Sequence, residues 1–191
     1  VSLLTPAIRS ALELRWQETH RAYHTLQHLG ECLDGLERAR DAAERPEEIE
    51  LALWFHDAIY DPRAPDNERR SAELATAMLT DAGLEPDTID RVTAMILATT
   101  HARIADDPDT RLCCDIDLAI LGASPARFEE YERQVRQEYD WVPAVLYRQR
   151  RSAILAALLA RPHLYATTVL RERLEETART NLARSLAQLR A

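Results

Sequence analysis

A chain of 191 residues, 46% of them hydrophobic and only four of them glycine, is long enough to bury a core and is most simply one domain spanning 1–191. Its net charge of −8 excludes a general nucleic-acid binder, because such proteins concentrate basic charge to neutralise phosphates. The 24 basic residues are all arginine, which excludes a lysine Schiff base and a lysine-bearing P-loop and leaves guanidinium forks as the cationic contact to phosphate.

Sparse glycine, few β-branched runs and abundant Ala, Leu, Glu and Arg predict an all-α fold. The leading segment Val1-Ser2-Leu3-Leu4-Thr5-Pro6 lacks the basic start and long apolar core of a secretory leader. No stretch reaches the roughly eighteen apolar residues of a membrane span, so a soluble, cytoplasmic protein without membrane contact is expected. Thr5 can cap and Pro6 can open a first helix running to about Trp16. A second helix is predicted to carry His24 and His28 through Cys32, Leu33 and Leu36 to near Arg45-Pro46, where a third begins and runs to the His56 region. That third helix breaks at Asp61-Pro62-Arg63-Ala64-Pro65. Asp66 or Asn67 caps a fourth helix ending at Gly83, and a fifth starts after Glu85-Pro86 and heads toward His101. Asp106-Asp107-Pro108-Asp109 reads as a polar loop before a helix bearing Asp117. Ser124-Pro125 opens a helix through Tyr139, and stretches of about 143–160 and 162–189 complete the chain as a C-terminal helical extension. Cys32, Cys113 and Cys114 form no C-x-x-C pair, and adjacent cysteines rarely bridge, so reduced thiols are expected. No repeat or linker divides the chain, and nothing in it sets an oligomeric state.

The chemistry-bearing residues fall on the apolar segments. The doublet His56-Asp57 lies behind the run Ile49-Glu50-Leu51-Ala52-Leu53-Trp54-Phe55, and a carboxylate at the buried end of that run must be neutralised, which a divalent cation would do. A bare doublet also fits a helix end with a hydrogen-bonded imidazole. His24 and His28 are four apart, hence on one face of a helix, but Thr25 after the first excludes the zinc-protease motif. Asp115 and Asp117 sit in the otherwise apolar stretch from Leu112 to Leu121. Together the pieces read H…HD…D, each on a different apolar helix.

With these residues the chain resembles the HD-domain superfamily of metal-dependent phosphohydrolases. It is similar in particular to a branch with a YHNLxH-like opening, an FHDxxYD-like centre, and DNExxSA, TxxH and DxDLxILG segments. These stand here as Tyr23 to His28, Trp54 to Asp61, Asp66 to Ala72, Thr99-Thr100-His101 and Asp115 to Gly122, with Thr25 where the opening motif commonly has Asn. The motifs cover about the first two thirds of the chain, and the likeness continues through Arg136 to Tyr139 and Ala178 to Leu182.

The resemblance implies an all-α helical bundle of HD type with His28, His56, Asp57 and Asp117 as metal ligands, and Asp115 competing for the last place. Two imidazoles and two carboxylates suit Mn, Fe, Co, Ni or Zn with positions left for water and substrate. Such a cation lowers the pKa of its water from about 15.7 toward 7 and polarises a phosphoryl oxygen. The implied activity is hydrolysis of a small, nucleotide-like phosphorylated substrate. Glu68 could transfer a proton there, or could simply be a first-turn acid that complements its helix dipole. His24 could hold a water or a phosphate oxygen, or lie at the core edge; His101 could bind phosphate or a second cation, or cap its helix. Arg21, Arg69, Arg70, Arg136 and Tyr139 are further candidates to line the pocket. A di-metal oxygenase, with His24, His101 and Glu68 serving a second iron, and a non-catalytic nucleotide-sensing module are the competing readings.

Overall fold

The computed structural model describes residues 3–190, so Val1 and Ser2 of the leading segment, and Ala191, lie outside the described residues. Those described are all-helical: α1 (Pro6–Trp16), α2 (Leu26–Arg38), a 3-10 turn (Arg40–Ala42), α3 (Pro46–Phe55), α4 (Asn67–Asp81), α5 (Pro86–Ala98), α6 (Pro108–Asp117), a second 3-10 turn (Leu118–Gly122), α7 (Pro125–Glu138), α8 (Ala144–Leu159) and α9 (Thr168–Arg190). Proline opens α1, α3, α5 and α7, where its fixed φ suits the helix and its missing N–H is no loss. Thr5 and Ser124 add side-chain caps, accepting from the amides of Ile8 and Arg127. Helix α4 closes with Gly83 at φ +76, and the amides of Gly83 and Leu84 return to Thr80 and Leu79, a Schellman ending that a residue with a side chain would strain. Among the described residues no helix is long and apolar enough to cross a membrane.

The chain forms two compact units, one through Asp117 and one from Leu118. In the first, α3 packs against α2, α4, α5 and α6, and from Leu51 to Phe55 its every residue is buried, as is Ile49 before them. A segment apolar all round has to be central, and each such Leu or Phe contributes roughly 1.5–3 kcal/mol by leaving water. Glu48, buried in the same helix, is held by a two-pronged ion pair from Arg91 at 2.6 and 2.7 Å. In the second unit, α9 packs on the 3-10 turn and on α8, and Asn181 Nδ2 donates to the carbonyls of Leu121 and Ala123, both at 2.9 Å.

Four boundaries differ from the sequence expectation, one being the end of α3, which stops at Phe55 and not at Asp61. Helix α2 begins at Leu26 because Thr25 is extended and its Oγ1 caps the amide of Gln27; His24 therefore precedes the helix instead of sharing a face with His28. The same helix stops at Arg38, short of Arg45, since the amides of Glu44 and Arg45 turn away to the carboxylate of Asp109 at 2.8 and 2.9 Å. Asp109 is thus no solvated loop residue. It lies fully buried in the first turn of α6, whose start is capped by Asp107 through the amide and hydroxyl of Thr110. Helix α9 starts at Thr168, because the carboxylate of Glu175 accepts the amides of Leu164 and Tyr165 and holds that segment as a loop.

Two glycines test the packing. A Cβ on Gly122 would lie 2.7 Å from Leu174 Cβ and 3.0 Å from the Leu174 carbonyl oxygen, so Gly122→Ala should cost about 1–3 kcal/mol in denaturant unfolding. Gly30, inside α2 with nothing within 4 Å of an added Cβ, should gain about 0.5–1 kcal/mol as Gly30→Ala. Equal stabilities for the two variants would contradict this packing.

Candidate metal centre

Three helix ends bring the four site residues together within the first unit. His28 lies in the first turn of α2, His56 caps the C-terminus of α3, Asp57 follows it, and Asp117 is the last residue of α6. His28 Nε2 lies 3.2 Å from Asp117 Oδ1, 3.3 Å from His56 Nε2 and 3.8 Å from Asp57 Oδ2. His56 Nε2 lies 3.0 Å from Asp57 Oδ2 and 3.5 Å from Asp117 Oδ1. A cation about 2.1 Å from each donor sets neighbouring donors about 3.0 Å apart in an octahedron and about 3.4 Å apart in a tetrahedron. Of the five separations, 3.0, 3.2 and 3.3 Å fall in that range and 3.5 and 3.8 Å lie just above it, so the two imidazoles with their carboxylates form a donor group that could hold a divalent ion.

The tautomers agree with this geometry. His56 Nδ1 donates to the carbonyl of Leu53 at 2.8 Å; a carbonyl can only accept, so in the neutral ring Nε2 carries the lone pair and faces the cluster. His28 Nδ1 lies 3.0 Å from Tyr23 Oη, which accepts its proton when Nε2 serves as a ligand. Both imidazoles are almost fully buried, whereas the Asp57 and Asp117 side chains keep 14% and 16% of their surface, so the cluster opens to solvent on the carboxylate side. Burial disfavours the charge on His56, but Asp57 and Asp117 outweigh it and raise its pKa well above the ordinary value. Burial likewise opposes ionisation of Asp57, and the His56 and His24 imidazoles overcome it, lowering its pKa. For Asp117 burial is overcome by hydrogen bonds from His101, His28 and His56, and its pKa falls well below the carboxylate range. Two ionised acids held against two imidazoles call for positive charge between them.

The acid that meets the imidazoles is Asp117. Asp115, also buried, stands two residues earlier on α6, about 200° round the helix. His101 Nε2 is 2.8 Å from Asp117 Oδ2, so it grips the oxygen turned away from His28. Its backbone sits in the left-handed region at φ +53 while its amide closes α5 on Ala98 at 3.0 Å, a conformation that costs a side-chain-bearing residue about 1–2 kcal/mol. His24 stacks on Tyr60 with ring centroids 3.9 Å apart and stands edge-on to Tyr23 and His28. Glu68 is half-buried in the first turn of α4 and takes no part in the contacts that assemble the four donors. Its neighbours hold the doublet's loop instead: Asn67 exchanges hydrogen bonds with the backbone of Asp61, and Ser71 Oγ bonds both the amide and carbonyl of Ile59.

Sequence reasoning missed the supports. Arg21, expected to line the pocket, is a buried clamp: Nη1 donates to the carbonyls of Asp57 (2.7 Å) and His24 (3.2 Å), Nη2 to that of Ala58 (3.3 Å), and Glu18 takes the other edge. Its guanidinium lies 5.6 Å from both the Trp16 and Tyr60 ring centroids. Trp16, fully buried, packs against His56 and His28 and donates to the carbonyl of Trp54. Cys32 Sγ lies 3.7 and 3.8 Å from the two nitrogens of His28, and burial with the nearby Asp117 and Asp57 pushes its thiol pKa well up. The position of Tyr23 in the opening motif was the one available signal. Arg69 is spent on Asp66 and Glu73 at the surface. Comparisons of the chain with protein-family models, with curated proteins and with solved structures find no match.

The hydrogen bond to His28 Nδ1 provides a test. Tyr23→Phe removes the hydroxyl while keeping the ring against His24 and His28, so divalent-ion affinity measured by calorimetry should drop about 10- to 100-fold with the fold retained. Unchanged affinity would remove Tyr23 from the centre.

Proposed function

We propose that the chain is a metal-dependent phosphohydrolase of the HD type that hydrolyses a small, nucleotide-like phosphoester with water as the nucleophile. The observation that carries this reading is the convergence of His28, His56, Asp57 and Asp117, each imidazole nitrogen 3.0–3.8 Å from the other donors, with both Nδ1 atoms occupied elsewhere. A divalent ion of the Mn, Fe, Co, Ni or Zn class held there would lower the pKa of a water toward neutrality and polarise a phosphoryl oxygen.

The chain's own groups do the rest. His101 fixes the rotation of Asp117 so that Oδ1 faces His28. His24, half-buried and oriented by its stack on Tyr60, is placed beside Asp57 to hydrogen-bond a phosphoryl oxygen or to give a proton to the leaving group. Arg21 is committed to carbonyls and to Glu18, so it serves as a clamp and not as a phosphate fork. Glu68 is assigned the second proton-transfer role on the strength of the resemblance in its motif.

Metal content and turnover, measured in parallel on purified variants, test the reading. His56→Ala, Asp57→Ala and Asp117→Ala should each lose the ion and phosphoester hydrolysis together, and His101→Ala should weaken the ion about 10- to 100-fold. Glu68→Gln should keep the ion and slow hydrolysis about 100- to 10,000-fold. Full metal retention in both doublet variants would overturn the centre, and full activity in Glu68→Gln would reduce Glu68 to a first-turn acid. Two ions per chain would favour the di-metal oxygenase, and one ion without turnover across a phosphoester screen would favour a sensing module.

A further inference from the structure

The second unit holds a cavity of about 620 Å³ lined from α7, α8 and α9, within the size range of small-molecule sites. It shares no residue with the candidate metal centre. Two acids reach it and both are committed: Glu132 receives the guanidinium of Arg151 and, at 2.8 Å, the Ser185 hydroxyl, while Glu129 lies 3.3 Å from Arg184. Three guanidinia on its wall have no acid partner. Arg133 and Arg148 make no ion pair among the described residues, and Arg136 donates to the carbonyls of Tyr139 and Val142 while lying 4.7 Å over the Tyr147 ring. A net positive wall in a chain of net charge −8 is a local arrangement, not a reflection of composition.

Hydrogen bonding points the same way. Tyr147 Oη is buried with no hydrogen-bond partner, and Arg184 Nη2 is buried without one despite its acid neighbour. Buried donors are nearly always satisfied, so these two donors are left without a well-aligned acceptor. Burial pushes the Tyr147 hydroxyl up to about 12, which keeps it a donor. Leu189 and the Tyr147 ring supply apolar surface beside the charges, over the buried Phe128.

We propose that this cavity binds a multiply charged organic phosphate, its oxygens taken by Arg133, Arg148 and the Tyr147 hydroxyl, with Arg136 adding positive charge behind them and the organic part laid against Leu189 and the Tyr147 ring. Guanidinium forks suit phosphate oxygens in pairs, and the apolar surface favours an organic phosphate over the inorganic ion.

Calorimetric titration of the full chain with ADP, pyrophosphate and inorganic phosphate, at near-physiological salt, tests this. ADP should bind more tightly than pyrophosphate, and phosphate most weakly. Arg133 and Arg148 are exposed, so their alanine variants should fold normally, each binding ADP about tenfold more weakly, with Tyr147→Phe reduced in the same direction. Binding should persist in His56→Ala, which separates this cavity from the metal centre. ADP binding that survives the double arginine variant but is lost in His56→Ala would place the anion at the metal centre and overturn the proposal, as would no binding at all. Pyrophosphate binding as tightly as ADP would overturn the organic part of the assignment.

Discussion

Two carboxylates each lie within 3.8 Å of two imidazoles that have almost no access to solvent. Without positive charge between them, acid would face acid and lone pair would face lone pair. The shifted ionisation of His56, Asp57 and Asp117 expresses that constraint: the cluster draws a proton onto an imidazole and keeps both acids charged. A divalent cation would meet the same demand, since it accepts lone pairs from imidazole and carboxylate alike.

Holding such a cluster together costs free energy, so its surroundings are rigid. Arg21 ties the carbonyls of His24, Asp57 and Ala58 into one guanidinium, joining the segment before α2 to the segment after α3. Asn67 and Ser71, one turn apart on α4, secure the loop that follows the doublet. Leu53 and Tyr23 orient the imidazoles, and His101 orients Asp117. Each candidate ligand is thus positioned by a partner outside the cluster, an arrangement that would keep a metal site's geometry before an ion arrives. The left-handed backbone of His101 belongs to the same pattern, local strain carried where an orientation is needed.

The order H…HD…D along the chain proposed four residues for one site, and the structure brings their side chains together in the first unit. Specificity in such a site comes from the walls around the donors and not from the donors themselves.

Local rules settled much of this from the sequence alone. Proline and cap residues marked the starts of α1, α3, α5 and α7, and the apolar run from Ile49 to Phe55 announced a buried helix, because these signals act over a few residues. The composition predicted an all-helical chain for the same reason. What tertiary structure alone decided were the interactions that span long stretches of chain. Asp109 ends the second helical segment early by claiming the amides of Glu44 and Arg45, sixty-odd positions away in sequence. The choice of Asp117 over Asp115 depends on which face of α6 meets α2 and α3. Arg21 reads in sequence as one arginine among 24, and only the approach of residues 57 and 58 to it makes it a clamp, since a guanidinium's role is set by the oxygens that folding brings within its reach.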